Sequence, residues 1–398
     1  MQLLKEVFFL IKLKAKTMNK TDILTHLGED REQYFNAIAP PIIQTSNFKF
    51  DTMADLKNAF AYERGSHLYT RGNNPTVTMC AKKIAALEGS EDALLVGSGA
   101  AAISNSVLAN VQAGDHIVCV QNAYSWANKL MENFLPRFNV ATTFVNGSDV
   151  ANFENAIQEN TKIFFLESPT SLMMEMQDLK AIVKLAKANN IITILDNSYG
   201  SPLNNNPIKW GIDIVFHSAT KYIGGHSDVL AGVICSSKAM IDKIFQSEMM
   251  TLGNILGPQD AWLLMRGLRT LPIRVKEAAK TTKKVIKFLE KHPKVEKILY
   301  PHHKKHPQVK LARKQMPQEM SLFSVVFKTD DMAKLEKFVD DLKYFLIAVS
   351  WGGYESLALP IQTKYQDGLA QVVRFYVGLE ESKVLILDIE QALDKMEI

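Results

Sequence analysis

The sequence is poor in cysteine, and its cysteines form no motif. Only Cys80, Cys119 and Cys235 occur among the 398 residues, and no two of them form a CxxC pair. A zinc site or a disulfide framework is recognised by closely spaced or paired cysteines, so neither is indicated. We expect no metal centre, and we expect free buried thiols in a reducing compartment.

Long hydrophobic runs are also missing. No apolar stretch approaches the roughly 20 residues that a membrane-spanning helix needs. Residues 7–11 (VFFLI) are apolar, but Lys12, Lys14 and Lys16 follow at once, and no small-residue cleavage site comes after them. We therefore expect a cytoplasmic protein without a membrane partner, in which residues 1–17 are a loose extension and Met18 is a candidate start.

The chain carries little excess charge for its size. Its formal net charge is +4, and no basic run with interleaved aromatic residues occurs. A nucleic-acid-binding protein usually shows a strong basic excess or such a patch, so we expect no nucleic-acid partner. Hydrophobic residues make up 47% and charged residues 22%, which is ordinary globular composition.

Short apolar strands alternate with amphipathic helices from about residue 78 onwards. The predicted strands cover residues 93–96, 117–120, 142–145, 163–166, 191–195 and 214–216. This alternation predicts an α/β fold, in which a mostly parallel sheet is covered by helices on both faces. Ligands bind beyond the carboxyl ends of the strands in such sheets, so the chemistry should lie directly after each strand.

The length suits two domains rather than one small core. Residues 19–68 show little periodicity, which predicts an arm that packs on something else, so residues 1–68 are the predicted extension and arm. Residues 69–262 are the predicted sheet domain. A long helix that starts near residue 257 introduces further strands and helices, which predict a smaller α+β domain over residues 263–398.

Three strand ends carry residues suited to binding a phosphorylated cofactor. Residues 97–102 (GSGAAA) open a helix whose N–H groups can approach a phosphate, although a tight turn explains them equally well. Asp196 ends a strand and can pair with a cationic ring nitrogen, although a single Asp is more often a cap or turn residue. Lys221 follows a buried strand beside the hydroxyls of Ser218 and Thr220, whereas most lysines are merely solvated.

The combination of a phosphate cradle, a carboxylate and a lysine is what pyridoxal 5′-phosphate (PLP) requires. Lys221 would form the Schiff base with the cofactor, because a crevice desolvates its amine enough to make it nucleophilic near neutral pH. Asp196 would keep the pyridine nitrogen protonated, so that the ring acts as an electron sink. Ser218 and Thr220 would hold the phosphate together with the helix N-terminus. The sequence therefore predicts a PLP-dependent enzyme.

The lysine motif resembles that of a known family. Residues 218–222 (SATKY) and 225–228 (GHSD) resemble the cofactor-lysine motif of the PLP-dependent enzymes of Cys/Met metabolism, and the likeness runs from about residue 35 to the end. It implies fold type I of the PLP-dependent transferases, similar to aspartate aminotransferase, with a seven-stranded sheet and a smaller C-terminal domain. It also implies that Arg374 clamps the substrate α-carboxylate, a task to which the arginine fork is suited.

The same resemblance assigns cofactor contacts to five further positions. Tyr69 and Arg71 are expected to reach the phosphate of the PLP in a neighbouring subunit. Gly99 and Ala100 are expected to bind the phosphate through their backbone, and Tyr124 is expected to stack on the ring. The resemblance further implies a homo-oligomer, a tetramer built as a dimer of dimers, in which the N-terminal arm contacts a neighbouring subunit.

Finer motifs resemble the cystathionine β-lyases of that family. Residues 350–356 (SWGGYES) are similar to a β-lyase segment, which makes Ser350 and Trp351 expected substrate contacts. Residues 167–171 (ESPTS) end in serine, as in β-lyases, where γ-type members usually carry asparagine.

Two other positions depart from the γ-lyase patterns. Val349 stands where cystathionine γ-lyases typically carry glutamate and where bacterial β-lyases often carry tyrosine. Trp126 stands where methionine γ-lyases typically carry cysteine. The stacking segment around Trp126 fits no subgroup well, which predicts an unusual substrate pocket.

These resemblances imply a carbon–sulfur β-lyase that cleaves L-cystathionine, and cysteine- or cystine-like substrates, to a thiol, pyruvate and ammonia. Lys221 would be the general base, and Lys221 or Tyr124 would protonate the sulfur. Cystathionine γ-synthase, cystathionine γ-lyase and methionine γ-lyase remain alternatives within the family. A protein of this fold that has lost catalysis is disfavoured, because Lys221, Asp196, Tyr124 and Arg374 are all present.

Overall fold

The computed structural model describes residues 18–365 and 368–397. The extension predicted for residues 1–17 lies outside the described residues. Within the described part of the chain, no helix is both long and apolar enough to cross a membrane. The same residues contain no cluster of three or more His, Cys, Asp or Glu arranged to hold a metal ion.

The α-helices follow one another along the whole described chain. They are α1 (Lys20–His26), α2 (Met53–Ala61), α3 (Pro75–Glu88), α4 (Gly99–Leu108), α5 (Ser125–Lys129), α6 (Val150–Asn155), α7 (Leu179–Ala188), α8 (Ser201–Asn204), α9 (Lys238–Ile244), α10 (Met250–Leu252), α11 (Pro258–Leu289), α12 (Val309–Gln315), α13 (Met332–Asp340) and α14 (Ser382–Lys395). Short 3-10 or π-helical turns cover Arg31–Tyr34, Glu63–Gly65, Leu130–Phe134, Leu135–Phe138, Pro207–Trp210 and Phe245–Met249.

The first sheet has seven strands in the order β1-β7-β6-β5-β4-β2-β3. They are β1 (Asp92–Val96), β2 (His116–Val120), β3 (Ala141–Val145), β4 (Thr161–Glu167), β5 (Ile192–Asp196), β6 (Ile214–Ser218) and β7 (Gly232–Ser236). Neighbouring strands from β3 to β6 pair in parallel, and β7 runs antiparallel to both β6 and β1. The predicted fold class, a mostly parallel seven-stranded sheet, is confirmed.

The second sheet has four antiparallel strands in the order β10-β11-β9-β8. They are β8 (Val295–Leu299), β9 (Leu322–Phe327), β10 (Leu357–Tyr365) and β11 (Gly368–Tyr376). A separate apolar cluster, which includes Phe323, Phe338 and Phe375, forms the core between this sheet and its helices. The predicted smaller C-terminal α+β region is therefore present.

Local sequence signals set the ends of α3, which packs behind the first strand. The side chain of Asn74 accepts a hydrogen bond from the N–H of Thr76 (3.0 Å), and Pro75 occupies the first turn, where its missing N–H is not needed. Gly89 ends the helix with a φ of 80°, in the left-handed region that glycine adopts without strain.

Two contacts fasten the N-terminal segment to its own chain. The buried carboxylate of Glu29 lies 3.0 Å from the amine of Lys83 on α3 and 3.0 Å from the guanidinium of Arg269 on α11. The indole N–H of Trp262 donates to the carbonyl of Pro40 (2.9 Å). The segment around residues 29–40 thus packs on α3 and α11. The expected domain boundary at 262/263 falls inside the first turns of α11.

Candidate active site

The direction of the strands brings several of the predicted site residues to one edge of the first sheet. Because β1 to β6 point the same way, their carboxyl ends meet at this edge. Asp196 and Ser218 are the last residues of β5 and β6, and Gly99 follows β1 after a two-residue turn. Tyr124 follows β2 and precedes α5.

The start of α4 lies against the end of β6 with no spare room. A Cβ atom added at Gly99 would lie 2.8 Å from the Cβ of Ser218, so only glycine fits without a shift. The side chain of Ser98 accepts from the N–H of Ala101 (3.0 Å) and begins the helix. The N–H groups of Gly99 and Ala100 therefore remain at a helix N-terminus, which favours an anion.

The hydroxyl of Thr220 is engaged by the neighbouring backbone. It accepts from the N–H of Ala231 (3.0 Å) and lies 3.3 Å from that residue's carbonyl oxygen, to which it donates. Ser198 joins the two adjacent strand ends, because its hydroxyl accepts from the N–H of Ser218 (2.7 Å) and its own N–H donates to Asp196 Oδ1 (2.8 Å).

Lys221 is largely buried and reaches the C-terminal domain. Its Nζ donates to the hydroxyl of Ser350 and lies 5.5 Å from the centroid of the Trp351 ring. Burial, helped by the positive charge of Arg374, lowers the pKa of Lys221 to about 8, while Asp196 acts in the opposite direction. An amine with such a pKa is partly unprotonated near neutral pH and can act as a nucleophile or base.

The loop after Lys221 is fixed from two sides. The guanidinium of Arg274, on α11, donates to the carbonyl of Tyr222 (2.9 Å). Gly352 has a φ of 96°, and a Cβ atom there would lie 2.7 Å from the carbonyl carbon of Lys221. Only glycine meets both requirements, so the 350–356 segment can lie directly on the lysine loop.

Asp196 and Glu167 place two carboxyl groups side by side. They are paired in register at the ends of β5 and β4. Burial raises the pKa of Asp196, although hydrogen bonds from Ser198 oppose the rise. Burial and the nearby charge of Asp196 raise the pKa of Glu167 to about 8. The space beyond these strand ends is called the crevice below. At one edge it holds a carboxylate whose neighbouring carboxyl group is easily protonated.

Tyr124 lies beside this pair of carboxyl groups. Its backbone N–H donates to Glu167 Oε2 (2.7 Å), and the residue is 40% exposed, so part of it is accessible to a ligand. Burial and the charges of Asp196 and Glu167 raise the pKa of the Tyr124 phenol. Trp126, two residues on, is exposed and carries the amine of Lys129 4.3 Å from its ring centroid.

Arg374 approaches the crevice from β11. Its Nη2 donates to the carbonyl of Ser350 (3.2 Å), the residue whose hydroxyl meets Lys221. Burial lowers the pKa of Arg374 to about 10, so the side chain stays positively charged at neutral pH. Lys221, Ser350, Trp351 and Arg374 are thus brought together.

Tyr69 and Arg71 are not brought into this group within one chain. Tyr69 forms an isolated antiparallel bridge with Asn47, and the guanidinium carbon of Arg71 lies 5.6 Å from the Tyr69 ring centroid. Both side chains are exposed, and they line a cleft of about 670 Å³ formed with the arm.

Three residues of the site were missed as functional positions. Glu167 was noted only as part of a subgroup motif, although it ends a buried strand as Asp196 does, and the same strand-end rule identifies it. Ser198 lies two residues beyond the end of β5. Its contact between the two strand ends can be recognised only when the pairing of β5 with β6 is known. Arg274 acts from the middle of a long helix, where the sequence gives no signal.

Comparison with known proteins gives a consistent result. A model of the family described as "Cys/Met metabolism PLP-dependent enzyme" matches residues 21–394. The chain is 39% identical over 387 residues to an L-methionine gamma-lyase of Fusobacterium nucleatum subsp. polymorphum, covering 93% of this chain and 97% of that protein. It is 34% identical over 390 residues to a cystathionine beta-lyase of Lactococcus lactis subsp. lactis, covering 95% and 100%.

A solved structure shares the whole fold. The structure of a putative O-acetylhomoserine (thiol)-lyase from Campylobacter jejuni has a TM-score of 0.87 and 26% identity, with 95% of this chain and 100% of that chain covered. That structure contains N′-pyridoxyl-lysine-5′-monophosphate, a PLP group joined to lysine.

The crevice of this chain fits the same group. Gly99 lets the start of α4 lie directly against Ser218, which brings the first backbone N–H groups of the helix to the end of β6. Lys221 offers a half-buried amine with a lowered pKa, and Asp196 offers a half-buried carboxyl at the neighbouring strand end. A cradle, an amine and an acid are the protein groups that PLP needs.

Proposed function

Because the chain belongs to the PLP-dependent enzymes of Cys/Met metabolism, we propose that it is a carbon–sulfur lyase that releases a thiol from an L-amino acid by β-elimination, with L-cystathionine as the substrate. The observation that carries this proposal is the hydrogen bond between Lys221 and Ser350. It joins the amine of the sheet domain to the segment that holds Trp351 and that accepts a hydrogen bond from Arg374 on β11.

Seven residues of the sheet domain would hold the cofactor. Lys221 is the point of attachment, Asp196 pairs with the ring nitrogen and Tyr124 stacks on the ring. Gly99 and Ala100 offer backbone N–H groups to the phosphate. The hydroxyls of Ser218 and Thr220 complete that cradle. Bound PLP supplies an electron sink for negative charge at the substrate Cα.

Arg374 would bind and orient the substrate. Its charge and fork of donors suit the α-carboxylate of an amino acid. The carbonyl of Ser350 already accepts one N–H of the guanidinium and so fixes its direction. Binding at Arg374 places the substrate Cα next to the amine of Lys221, which shares Ser350 as a neighbour.

Lys221 would carry the proton between Cα and sulfur. Once the amino group of the substrate has replaced Lys221 on the cofactor, the freed and unprotonated lysine amine would take the Cα proton, for which a pKa of about 8 is well matched to neutral pH. When the Cβ–S bond breaks, the bonding electrons leave with sulfur, and the ammonium of Lys221 or the phenol of Tyr124 returns a proton to the thiolate. Water then converts the remaining three-carbon fragment to pyruvate and ammonia. One amine and one phenol suffice for this sequence.

Methionine γ-elimination is the second candidate, favoured by the 39% identity to an L-methionine gamma-lyase. That reaction breaks the Cγ–S bond, so a second proton must leave from Cβ. The same Lys221 amine would have to remove it.

The keto acid distinguishes the two candidates. β-Elimination of L-cystathionine yields pyruvate and homocysteine, whereas γ-elimination yields 2-oxobutyrate and cysteine. We expect pyruvate from L-cystathionine and slower release of 2-oxobutyrate from L-methionine. Release of 2-oxobutyrate from both substrates, without pyruvate, would contradict β-elimination and identify γ-elimination as the reaction of this protein.

A further inference from the structure

Glu167 lies at the edge of the crevice, and the proposed reaction does not use it. It is the last residue of β4 and is paired in register with Asp196, the last residue of β5. The residue is 6% exposed. A carboxyl buried at the ligand-binding edge of a parallel sheet is energetically unfavourable unless hydrogen bonds compensate for its lost hydration.

Two hydrogen bonds provide that compensation, and both come from loops around the crevice. The backbone N–H of Tyr124 donates to Glu167 Oε2 at 2.7 Å. The hydroxyl of Ser171 donates to Glu167 Oε1 at 2.5 Å. One side chain therefore ties the loop after β2 to the loop after β4.

The hydrogen bond from the Tyr124 N–H to Glu167 acts directly before the start of α5. Tyr124 precedes α5 with a φ of −47° and a ψ of 133°, and its side chain does not cap that helix. The residue is 40% exposed. A ring in this setting is oriented by its backbone, and the backbone N–H of Tyr124 is held by Glu167.

We propose that Glu167 is a positioning residue that fixes the Tyr124 ring over the cofactor, and that Ser171 orients the Glu167 carboxyl for this task. The inference rests on the stacking role proposed for Tyr124. It adds a buried carboxyl that acts through the tyrosine rather than on the substrate.

The electrostatics of the pair agree with a positioning role. Burial and the charge of Asp196 raise the pKa of Glu167 to about 8, while the hydrogen bonds from Ser171 and Tyr124 act in the opposite direction. Two adjacent carboxyl groups do not both ionise readily in a buried site. A largely neutral Glu167 leaves the negative charge with Asp196. Its carbonyl oxygen Oε2 still accepts the N–H of Tyr124, and the proton on Oε1 is then shared with the hydroxyl of Ser171.

The test compares Glu167→Ala, which loses the acceptor, with Glu167→Gln, which keeps a carbonyl oxygen for the Tyr124 N–H. The readouts are the affinity of the apoprotein for PLP and the visible circular dichroism per bound PLP, because that signal depends on how the ring is held. Loss of a hydrogen bond to a charged or acidic group corresponds to roughly a tenfold change in affinity. We expect Glu167→Ala to bind PLP about tenfold more weakly with a reduced dichroic band, and Glu167→Gln to restore both.

Controls separate positioning from general loss of stability. Glu159→Gln removes an exposed carboxylate just before the same strand and should leave both readouts unchanged. In a Tyr124→Ala background, Glu167→Ala should have no further effect, because coupled residues are not additive. Equal effects of Glu167→Ala with and without the tyrosine would overturn the proposal.

Ser171→Ala gives an independent result should Glu167→Ala fail to fold. It removes the hydroxyl that orients the carboxyl, so we expect a smaller decrease of the dichroic band in the same direction. An unchanged band in Ser171→Ala, or failure of Glu167→Gln to restore the signal, contradicts the positioning role. The measurements use no substrate, so they stand or fall separately from the keto acid assay.

Discussion

At the scale of single residues, Lys221 is tuned by its surroundings. Burial is the main cause of its lowered pKa, and the positive charge of Arg374 adds to it. Asp196 partly compensates, which keeps the shift moderate. The amine is therefore reactive near neutral pH while remaining able to hold a proton during elimination.

This tuning predicts a pH dependence for loading the apoprotein with PLP. Only the unprotonated amine attacks the cofactor aldehyde. The rate of loading, followed by the yellow absorbance at about 420 nm, should therefore rise with pH and level off above the Lys221 pKa of about 8. Arg374→Leu removes a like charge and should move the midpoint to higher pH. A rate that keeps rising towards the ordinary lysine pKa of 10.5 in the unmodified protein would contradict the account.

A second prediction concerns Arg374. Arg374→Lys keeps the charge but loses the fork of donors, so the carboxylate is held by a single point contact. We expect KM for L-cystathionine to rise about tenfold, the size of one lost charge-assisted hydrogen bond. Arg313→Lys, an exposed change on α12, serves as the control. Unchanged KM in Arg374→Lys would argue against substrate binding at this residue.

Residue types at strand ends could be predicted from the sequence, but their partners could not. Lys221, Asp196 and Ser218 were recognisable because each follows a buried apolar strand. The contact between Lys221 and Ser350 joins positions 129 residues apart, and no local pattern encodes it. The hydroxyl of Thr220 was expected to face the phosphate, and its contacts with Ala231 became visible only in the structure.

At the scale of elements, the close approach of α4 to β6 builds the cradle. A Cβ atom at Gly99 would lie 2.8 Å from the Cβ and 2.9 Å from the Oγ of Ser218. Gly99→Ala must therefore push the helix start away from the strand, and overpacking of this kind costs roughly 1–3 kcal/mol.

We expect Gly99→Ala to weaken PLP binding by about tenfold, measured by titrating the apoprotein and following the yellow band. Gly368→Ala is a matched control, because a Cβ atom at Gly368 meets open space. Equal affinities for the two variants would show that the cradle does not depend on this contact.

Elements were predictable where a regular pattern was strong. Strands β1 to β6 appeared as apolar runs because helices cover both faces of the parallel sheet. β7 was missed because it follows the lysine loop without an intervening helix, and its antiparallel direction breaks the alternation. β10 contains Pro360 and several polar residues, so its pairing with β11 could not be read from hydrophobicity.

At the scale of the whole molecule, Tyr69 and Arg71 are the residues on which we base the proposal of a site shared between two chains. Both are exposed beside the cleft formed with the arm, and neither contacts the crevice of its own chain. We propose an active unit of at least two subunits, in which these residues reach the neighbour's cofactor phosphate. An assembly of two such dimers remains part of this proposal.

Shared sites predict complementation between inactive variants. Lys221→Ala and Arg71→Ala should each be nearly inactive, but a hybrid dimer has one site with both residues intact. Random mixing by co-expression should restore about a quarter of the original activity, since half of the dimers are hybrids with one intact site. Lys221→Ala mixed with Asp196→Ala should restore nothing, because both residues serve the same subunit's site. Absence of recovery in the first mixture would contradict a shared site.

The central claim is that Lys221 carries the cofactor. Borohydride reduction of the yellow protein fixes PLP to its lysine, and peptide mass spectrometry locates the modified residue. The account predicts the label on the peptide that contains Lys221, and no yellow band or turnover in Lys221→Ala. A label on another lysine, or full turnover by Lys221→Ala, would contradict it.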